Sequence, residues 1–375
     1  MDRRFTKNMT PKEAKGMPKK LKVAVVGAGG IFRGAHLPGW VKLPECEMWA
    51  VCDISPQAVQ ACVEEMRANF GIEIPKERQY TDYKKMFRDV AAGKLELDIV
   101  DVCTPNSYHK DPTVQAFEVG CHVIVEKPMA TSAREAEAMI EASKKAKKLL
   151  MIAQSMRFTP EGLMMKRIAD SGALGKIYWG EAIILRPRGV PNWGLFIDRK
   201  ASAGGPIYDL AVHVLDLTFH CMGFPNPVAV SAGSYLEISN KPSVMTHDPK
   251  KYTVPEDFAV ALIRLEGGIT VTLETSWALN IPGYRGNVTI CGNKGGLTMD
   301  PLTLVREEFG ALTNTTIQVN PFAGIASHHE EIRQFVDAIV NGKPSPVPGE
   351  QALKTQKVLD AIYKSGELGR EVRIT

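Results

Sequence analysis

Three ionisable side chains interrupt an otherwise apolar stretch of the chain, GGPIYDLAVHVLD, which runs from Gly204 to Asp216. The stretch reads as a helix, and spacings of four and three residues place Asp209, His213 and Asp216 on one face of it. Histidine has an ordinary pKa near neutrality and is therefore suited to accepting a proton. The pattern predicts a proton acceptor with a carboxylate one turn away.

A glycine-rich turn, GAGG from Gly27, closes the apolar run LKVAVV and opens the next helix. Such a turn lets a pyrophosphate approach the backbone, and the helix N-terminus faces its negative charge. Phe32 stands where the usual fingerprint has its third glycine. Asp53 follows Gly29 by 24 residues, where a carboxylate accepts hydrogen bonds from ribose hydroxyls and repels a 2′-phosphate. The sequence predicts a dinucleotide site that prefers NAD to NADP.

The elements that must position these residues fall into two groups. From residue 21 to about 155, short apolar runs alternate with helical patterns, which predicts an α/β Rossmann domain with a doubly wound parallel sheet. From about residue 174, strands are joined by hairpin turns such as Glu266-Gly267-Gly268. We therefore expect a C-terminal α+β domain, residues 156–375, on a large, open, mainly antiparallel sheet. Its last helix, about 350–366, is a candidate to pack back on the first domain.

Composition excludes several classes of function. Residues 1–20 carry a net charge of +5, which leaves −1 for the rest of the chain, so we expect a flexible basic leader and no nucleic-acid partner. No apolar run reaches the roughly 18–20 residues that span a bilayer, and no signal peptide is evident, so we expect a cytoplasmic protein without a membrane partner. The seven cysteines show no C-x-x-C spacing, and the adjacent His328 and His329 diverge on a helix. We expect no metal site.

The first domain contains Glu126-Lys127-Pro128 about 100 residues after the glycine turn, and the D-x-x-x-H helix follows some 77 residues later. Together with CTPNSYH (103–109), MRFTPE (156–161) and HHEEIRQFVDAI (328–339), these motifs resemble the Gfo/Idh/MocA oxidoreductase family over residues 21–375. The resemblance implies a nicotinamide cofactor in the first domain, with NAD bound tightly. It also implies that the open sheet assembles homo-oligomers, either dimers, tetramers or larger, and that the D-x-x-x-H helix faces the nicotinamide.

The resemblance assigns three catalytic residues at the carboxyl end of the parallel sheet. His213 would accept the proton of the substrate hydroxyl, and Lys127 would stabilise the developing negative charge on its oxygen. Asp209 would either orient His213 or lower the cost of its imidazolium. The expected cofactor-binding residues are Gly27, Gly29, Gly30, Ile31, Phe32, Asp53, Thr104, Asn106, His109, Glu126, Lys127 and Gln154. The expected substrate-binding residues are Tyr108, Arg157, Arg186, Trp193 and Tyr284. The family often has Arg-Arg where this chain has Met156-Arg157.

The leading functional interpretation is an NAD-dependent oxidoreductase that oxidises a secondary hydroxyl of a sugar or glycoside. The Arg- and Trp-bearing loop at 186–205 favours a glycoside oxidised at C3. Three alternatives stay open: an inositol or free-sugar dehydrogenase, a glycosidase that uses NAD for a transient oxidation, and an NAD-binding regulator without catalysis.

Overall fold

The computed structural model describes residues 19–319 and 326–374. The basic leader expected at residues 1–20 lies outside these ranges except for Lys19 and Lys20. The described residues form two sheets, and none of the helices found among them is long and apolar enough to cross a membrane.

The first sheet is parallel and has six strands in the order β3-β2-β1-β4-β5-β6. Its inner strands are buried on both faces, because helices cover both sides, and this explains their continuous apolar runs. The strand order reverses between β1 and β4, and ligands of such sheets bind where the carboxyl ends of those strands diverge. The strands are Leu21–Val26 (β1), Cys46–Cys52 (β2), Gln79–Tyr80 (β3), Ile99–Val102 (β4), His122–Glu126 (β5) and Leu150–Ala153 (β6).

The second sheet has nine strands in the order β14-β13-β12-β11-β7-β10-β9-β8-β15, and only the β7–β10 pair is parallel. The expected hairpin at Gly267 and Gly268 joins β9 to β10, and both glycines have positive φ. The fold class predicted from the sequence is confirmed. These strands are Ile177–Leu185 (β7), Pro227–Tyr235 (β8), Phe258–Leu265 (β9), Thr270–Ser276 (β10), Arg285–Gly292 (β11), Gly295–Thr298 (β12), Thr303–Glu308 (β13), Ala311–Thr316 (β14) and Val372–Arg373 (β15).

The helices begin at the polar residues that the sequence offers as caps. Ser55 accepts a hydrogen bond from the amide of Ala58 and precedes Pro56, and Ser132 accepts one from Glu135 in the same way. The α-helices are Leu37–Trp40 (α1), Pro56–Phe70 (α2), Tyr83–Ala91 (α3), Lys110–Glu118 (α4), Ala133–Ala146 (α5), Pro160–Asp170 (α6), Arg199–Ser202 (α7), Val212–Cys221 (α8), Ser327–Val340 (α9) and Gly349–Leu368 (α10).

The two hydrophobic cores do not follow the boundary expected at residues 155 and 156. Ile332 and Phe335 of α9, with Val347 beyond it, are fully buried in the core of the first sheet. The helix α10 packs on β8 and α8 of the second unit and also on α5 of the first. The C-terminal part of the chain therefore contributes to both cores, and residues 156–375 are not confined to the second unit.

Candidate active site

The first residue of the glycine turn, Gly27, has no room for a side chain. Gly27 has a φ of +99°, and a Cβ placed there would lie 2.6 Å from the carbonyl carbon of Cys103. Its amide donates to the carbonyl of Cys52 across 2.9 Å. A side chain would thus collide with the neighbouring strand end, while the left-handed backbone would also be strained.

The next two glycines leave room for a ligand. A Cβ added at Gly29 or Gly30 would meet no atom within 4 Å. Beside them, Asp53 accepts hydrogen bonds from the amides of Ala28 (2.9 Å) and Ser55 (2.8 Å), which fix its carboxylate at the rim of the turn. This open backbone with an anchored carboxylate fits the pyrophosphate and ribose of a dinucleotide.

Ile31 and Phe32, both expected to bind the cofactor, lie in different environments. The side chain of Ile31 is 42% exposed and lies at the surface, whereas Phe32 is fully buried in the first core. The assignment of the Phe32 side chain to cofactor binding is therefore corrected. It fills the space against the sheet that a third glycine would leave for close helix–strand packing.

Lys127 and Asp209 meet across the two units. The Lys127 Nζ donates to the Asp209 carbonyl (2.8 Å) and to Oδ1 of its carboxylate (3.1 Å). The other oxygen, Oδ2, accepts from the indole nitrogen of the buried Trp277 (2.9 Å). Burial alone would raise the pKa of Asp209, but Lys127 and the hydrogen bond from Trp277 outweigh it and hold this pKa below its usual value. Asp209 is therefore ionised.

The expected hydrogen bond from Asp209 to His213 is not found. Both carboxylate oxygens of Asp209 are engaged by Lys127 and Trp277, which outcompete the imidazole, and Asp209 thus orients Lys127 instead. Asp209 lies in a π-helical turn, Ile207–Ala211, that precedes α8, where the sequence pattern predicted a continuous α-helix. Such turns often occur at functional sites.

His213 is left without a partner on the helix face. Its Nδ1 is buried and has no hydrogen-bond partner in the part of the chain that the structure describes. Burial, and then the nearby Lys127, lower its pKa to about 3. The imidazole is therefore neutral at ordinary pH and free to accept a proton.

Asp216, one turn beyond His213, forms an ion pair with Arg157. Its carboxylate accepts two hydrogen bonds from the Arg157 guanidinium, at 2.6 and 2.7 Å, and both side chains are buried. Arg157 also donates to Oε1 of Gln351. The Arg157 guanidinium is therefore engaged within the protein, and the substrate-binding role expected for Arg157 stays a prediction. Asp209 and Asp216 therefore anchor the helix on either side of His213. Of these three side chains among the described residues, only that of His213 is not held by an ion pair.

A buried hydrogen-bonded network, unexpected from the sequence, lies directly behind Lys127. His36 connects Oδ2 of Asp101 and Oε1 of Glu126, each at 2.9 Å. The second oxygen of Glu126 accepts from the Lys127 amide (3.0 Å), so both carboxylate oxygens bond within the protein. Burial alone would raise the pKa of Glu126, but His36 outweighs it and the pKa falls to about 2. The carboxylate of Glu126 therefore supports Lys127, and the nicotinamide contact expected for Glu126 stays a prediction.

The loop after β4 places the remaining cofactor candidates. Thr104 donates its hydroxyl proton to the carbonyl of Tyr108 (2.9 Å), and Asn106 donates to the carbonyl of Ser202 (2.7 Å). His109 is fully buried, and its ring nitrogens lie 2.8 Å from the carbonyl oxygens of Pro128 and Thr104. The ring of His109 thus holds the backbone of the loop, and the cofactor-binding role expected for His109 stays a prediction.

Gln154, after β6, is 2% exposed, and its Oε1 has no partner among the described residues. A buried amide oxygen without a partner is costly. Gln154 therefore stays a candidate for contact with a bound group.

The aromatic substrate candidates lie at the surface of the protein. Tyr108, Trp193 and Tyr284 are each more than half exposed, and Trp193 packs edge-on against Phe196. The Arg186 guanidinium donates to the carbonyl of Gly189 (3.3 Å) within its own loop. The structure thus leaves aromatic faces available, while it does not bring these side chains together in one cluster.

Family models match both units: an oxidoreductase-family model with an NAD-binding Rossmann fold over residues 21–154, and a GFO/IDH/MocA C-terminal-domain model over residues 163–298. The D-glucoside 3-dehydrogenase of Escherichia coli is 32% identical over 359 residues, which are 94% of this chain and 97% of that protein. The chain belongs to the Gfo/Idh/MocA oxidoreductase family. Its first unit is the NAD-binding Rossmann domain of that family, and the family predicted from the motifs is confirmed.

More distant members share the whole architecture. The D-apiose dehydrogenase of Paraburkholderia graminis is 25% identical over 371 residues, which are 95% of this chain and 90% of that protein. The structure of a levoglucosan dehydrogenase in complex with NADH superposes with a TM-score of 0.81 at 21% identity, covering 95% of this chain and 100% of the other. This second likeness shows that the fold is shared.

Within this oxidoreductase, one group of potential metal ligands occurs among the described residues. Atoms of His36, Asp101 and Cys103 lie within 4.8 Å of one another. They are already joined by hydrogen bonds, because Asp101 accepts from Cys103 (3.2 Å) and from Trp40 (2.7 Å) as well as from His36. The donor set is thus used for bonding within the protein and does not require an ion.

The glycine turn yields a first prediction. Gly29→Ala should fold like the wild-type protein, because its Cβ enters open space, but it should bind NAD more weakly, because the methyl group occupies the cradle. Thermal unfolding and a fluorescence titration with NAD measure the two effects. Gly27→Ala is the matched control, and it should lower the unfolding temperature. Equal NAD affinity in Gly29→Ala and wild type would contradict the cofactor assignment.

The low pKa of His213 yields a second prediction, on stability. The imidazole of the unfolded chain takes up a proton near pH 6.5, whereas the folded one does so only at about 3. Its contribution is therefore present above pH 6.5 and is lost as the pH falls towards 3, by up to about 1.4 kcal/mol per pH unit for one proton. Urea unfolding between pH 7.5 and 4.5 should show a shallower loss for His213→Gln than for the wild type. Parallel curves would mean that folded His213 is not held neutral.

Proposed function

We propose that the protein oxidises the C3 hydroxyl of a pyranoside, a glucoside in the first place, to the 3-keto glycoside with NAD as the oxidant. The observation that carries the proposal is the neutral, partnerless His213 beside a Lys127 that Asp209 holds in place. The position on the sugar is supported by the relative in Escherichia coli, whose name is D-glucoside 3-dehydrogenase and which matches nearly the full chain.

The reaction removes a hydride from carbon and a proton from oxygen, and the residues of this chain provide for the proton. Bound NAD⁺ supplies the hydride acceptor. His213 takes the hydroxyl proton at a ring nitrogen as the C–H bond breaks. The Lys127 ammonium has three N–H donors. Two of them are directed at the carbonyl and carboxylate oxygens of Asp209, and the third is left for the substrate oxygen. That donor stabilises the negative charge that develops on the oxygen.

Cofactor and substrate selection would rest on the surrounding residues. Asp53 carries a fixed negative charge beside the glycine turn, and this disfavours the 2′-phosphate of NADP. Trp193, Tyr108 and Tyr284 expose ring faces that can pack on the apolar face of a pyranose or on the group attached to it. Arg186 would bind sugar hydroxyls on the same side. The exposed rings favour a glycoside over a free hexose or an inositol.

The other interpretations differ in what the same site would produce. A glycosidase acting through transient oxidation would release the attached group without net formation of NADH. A regulator that only binds NAD has no use for a neutral histidine beside a lysine that a carboxylate positions, so the geometry disfavours it.

Assembly and location complete the proposal. The outer face of the second sheet exposes Val260 and Leu262 on β9 with Tyr235 on the neighbouring β8, which suits burial against a second copy of the chain. We therefore propose a cytoplasmic homo-oligomer. Light scattering during size-exclusion chromatography should give a mass well above 41.2 kDa, and a monomer would contradict this part.

The decisive experiment incubates the protein and NAD with a panel of glucosides, free hexoses and inositols. We expect NADH together with a keto group at C3 of the glucosides, identified by NMR of the product. A keto group at another carbon, or activity confined to inositols, would contradict the proposed position. Release of the aglycone without accumulation of NADH would instead favour the glycosidase.

A matched pair of variants tests the role of the base in the same assay. His213→Gln should slow turnover by about 10²- to 10⁴-fold, the range for loss of a general base, with little change in NAD affinity. His220→Gln changes a histidine of the same helix that has a similarly low pKa of about 3, and it should turn over at the wild-type rate. Near-wild-type turnover of His213→Gln would exclude His213 as the base.

A further inference from the structure

We propose that His36 is a positioning residue for this oxidation: as an imidazolium shared between Asp101 and Glu126, it fixes the chain segment from which Lys127 reaches the substrate. The inference rests on the proposed function, because one of its tests measures glycoside turnover.

The arrangement joins three neighbouring points at the carboxyl edge of the parallel sheet. His36 ends the π-helical turn Phe32–His36 after the glycine turn, Asp101 lies in β4 and Glu126 ends β5. His36 and Asp101 are fully buried, and Glu126 is 7% exposed. The hydrogen-bonded chain therefore lies inside the protein, directly beneath the step from Glu126 to Lys127.

The contacts require that both ring nitrogens of His36 carry a proton. Each nitrogen lies 2.9 Å from a carboxylate oxygen, and a neutral imidazole would turn a lone pair towards one of them. Burial alone would lower the pKa of His36, but Asp101 outweighs it and raises this pKa well above its usual value. An imidazolium between two carboxylates satisfies both N–H donors of the ring.

A third carboxyl group lies nearby but adds no further negative charge. Glu331 of α9 is fully buried, and neither of its oxygens has a partner among the described residues. Burial raises its pKa well above the usual value, and so do the negative charges of Glu126 and Asp101. Glu331 is therefore held as the neutral acid, and the charge of His36 is left to Asp101 and Glu126.

The chain of bonds ends on the backbone of the catalytic lysine. Oε2 of Glu126 accepts the Lys127 amide proton, while His109 lies against the carbonyl of Pro128 on the next residue. Without the proton from His36, Glu126 would be a buried carboxylate beside Asp101 and would have to neutralise or turn away. Lys127 would then lose its backbone anchor, and its Nζ would shift relative to Asp209.

The first test reads the charge directly in the wild-type protein. After ¹⁵N labelling of histidine, the ring-nitrogen shifts and their one-bond couplings at pH 7.5 should show His36 protonated at both positions. His122 is the internal reference, because it lies at the other end of β5 and its Nδ1 accepts the amide of Leu149, so one nitrogen must be bare. A bare ring nitrogen on His36 would overturn the proposal.

The second test separates positioning from stability. His36→Gln should lower kcat for glucoside oxidation by about 10²-fold, the cost of misplacing a catalytic group by about 1 Å, while the Kd for NAD stays near the wild-type value. His122→Gln, which replaces a half-buried histidine at the start of β5, should leave kcat unchanged. An unchanged kcat in His36→Gln, or a parallel loss of NAD binding and unfolding temperature, would overturn the positioning role.

A double variant tests whether the charge is what matters. In His36→Gln with Glu126→Gln, the two amides can bond each other, and Gln at 126 can still accept from the Lys127 amide without a buried charge. This variant should recover part of the kcat lost in His36→Gln alone, and a double variant no faster than the single one would overturn the proposal. Should the variants not fold, the NMR result on the wild type decides. Absence of glycoside oxidation in the wild type would refute the proposed function and leave the NMR measurement standing.

Discussion

The contact between Lys127 and Asp209 is the interaction on which the site depends. It joins the carboxyl end of the parallel sheet to the helix of the second unit, through two hydrogen bonds from one ammonium group. Because Trp277 occupies the remaining carboxylate oxygen, the pair has one geometry rather than several. Burial is the main cause of the low pKa of His213; the lysine charge lowers this pKa further, while Asp209 raises it. The ion pair thus fixes the position of Lys127 and contributes to the charge environment of His213.

The charged groups around this contact are organised for position more than for stability. Arg157 with Asp216 and His36 with Asp101 and Glu126 are buried, and the desolvation of such groups consumes most of their attraction. What they provide is a unique arrangement, because a buried charge with a misplaced partner is costly. The helix bearing His213 is held on both sides of that residue by such pairs, which fixes where the imidazole lies.

The topology explains why residues far apart in the chain can serve one site. The order β3-β2-β1-β4-β5-β6 brings the ends of β1, β4 and β5 side by side, and these ends carry the glycine turn, the loop with Asn106 and Lys127. Asn106 then bonds Ser202 just before the π-helical turn, so the loop after β4 also touches the second unit. The helix α9 packs Ile332 and Phe335 into the first core. The candidate site therefore lies where the two units contact each other.

The sequence by itself determined the elements and the chemistry. The local signals are the period-two and continuous apolar runs, helix caps such as Ser55, and the glycine turn. The motifs that contain Lys127 and His213 are recognised by their spacing. Only the tertiary structure decided which polar groups meet. Arg157 pairs with Asp216, Asp209 with Lys127 rather than His213, and His36 with two carboxylates from different strands. Phe32 and His109 fit the motif by position, yet packing turns both into the interior. The physical reason is that a buried ion pair or hydrogen bond is set by competition among partners brought together by the fold, and such competition leaves no periodic trace in the sequence.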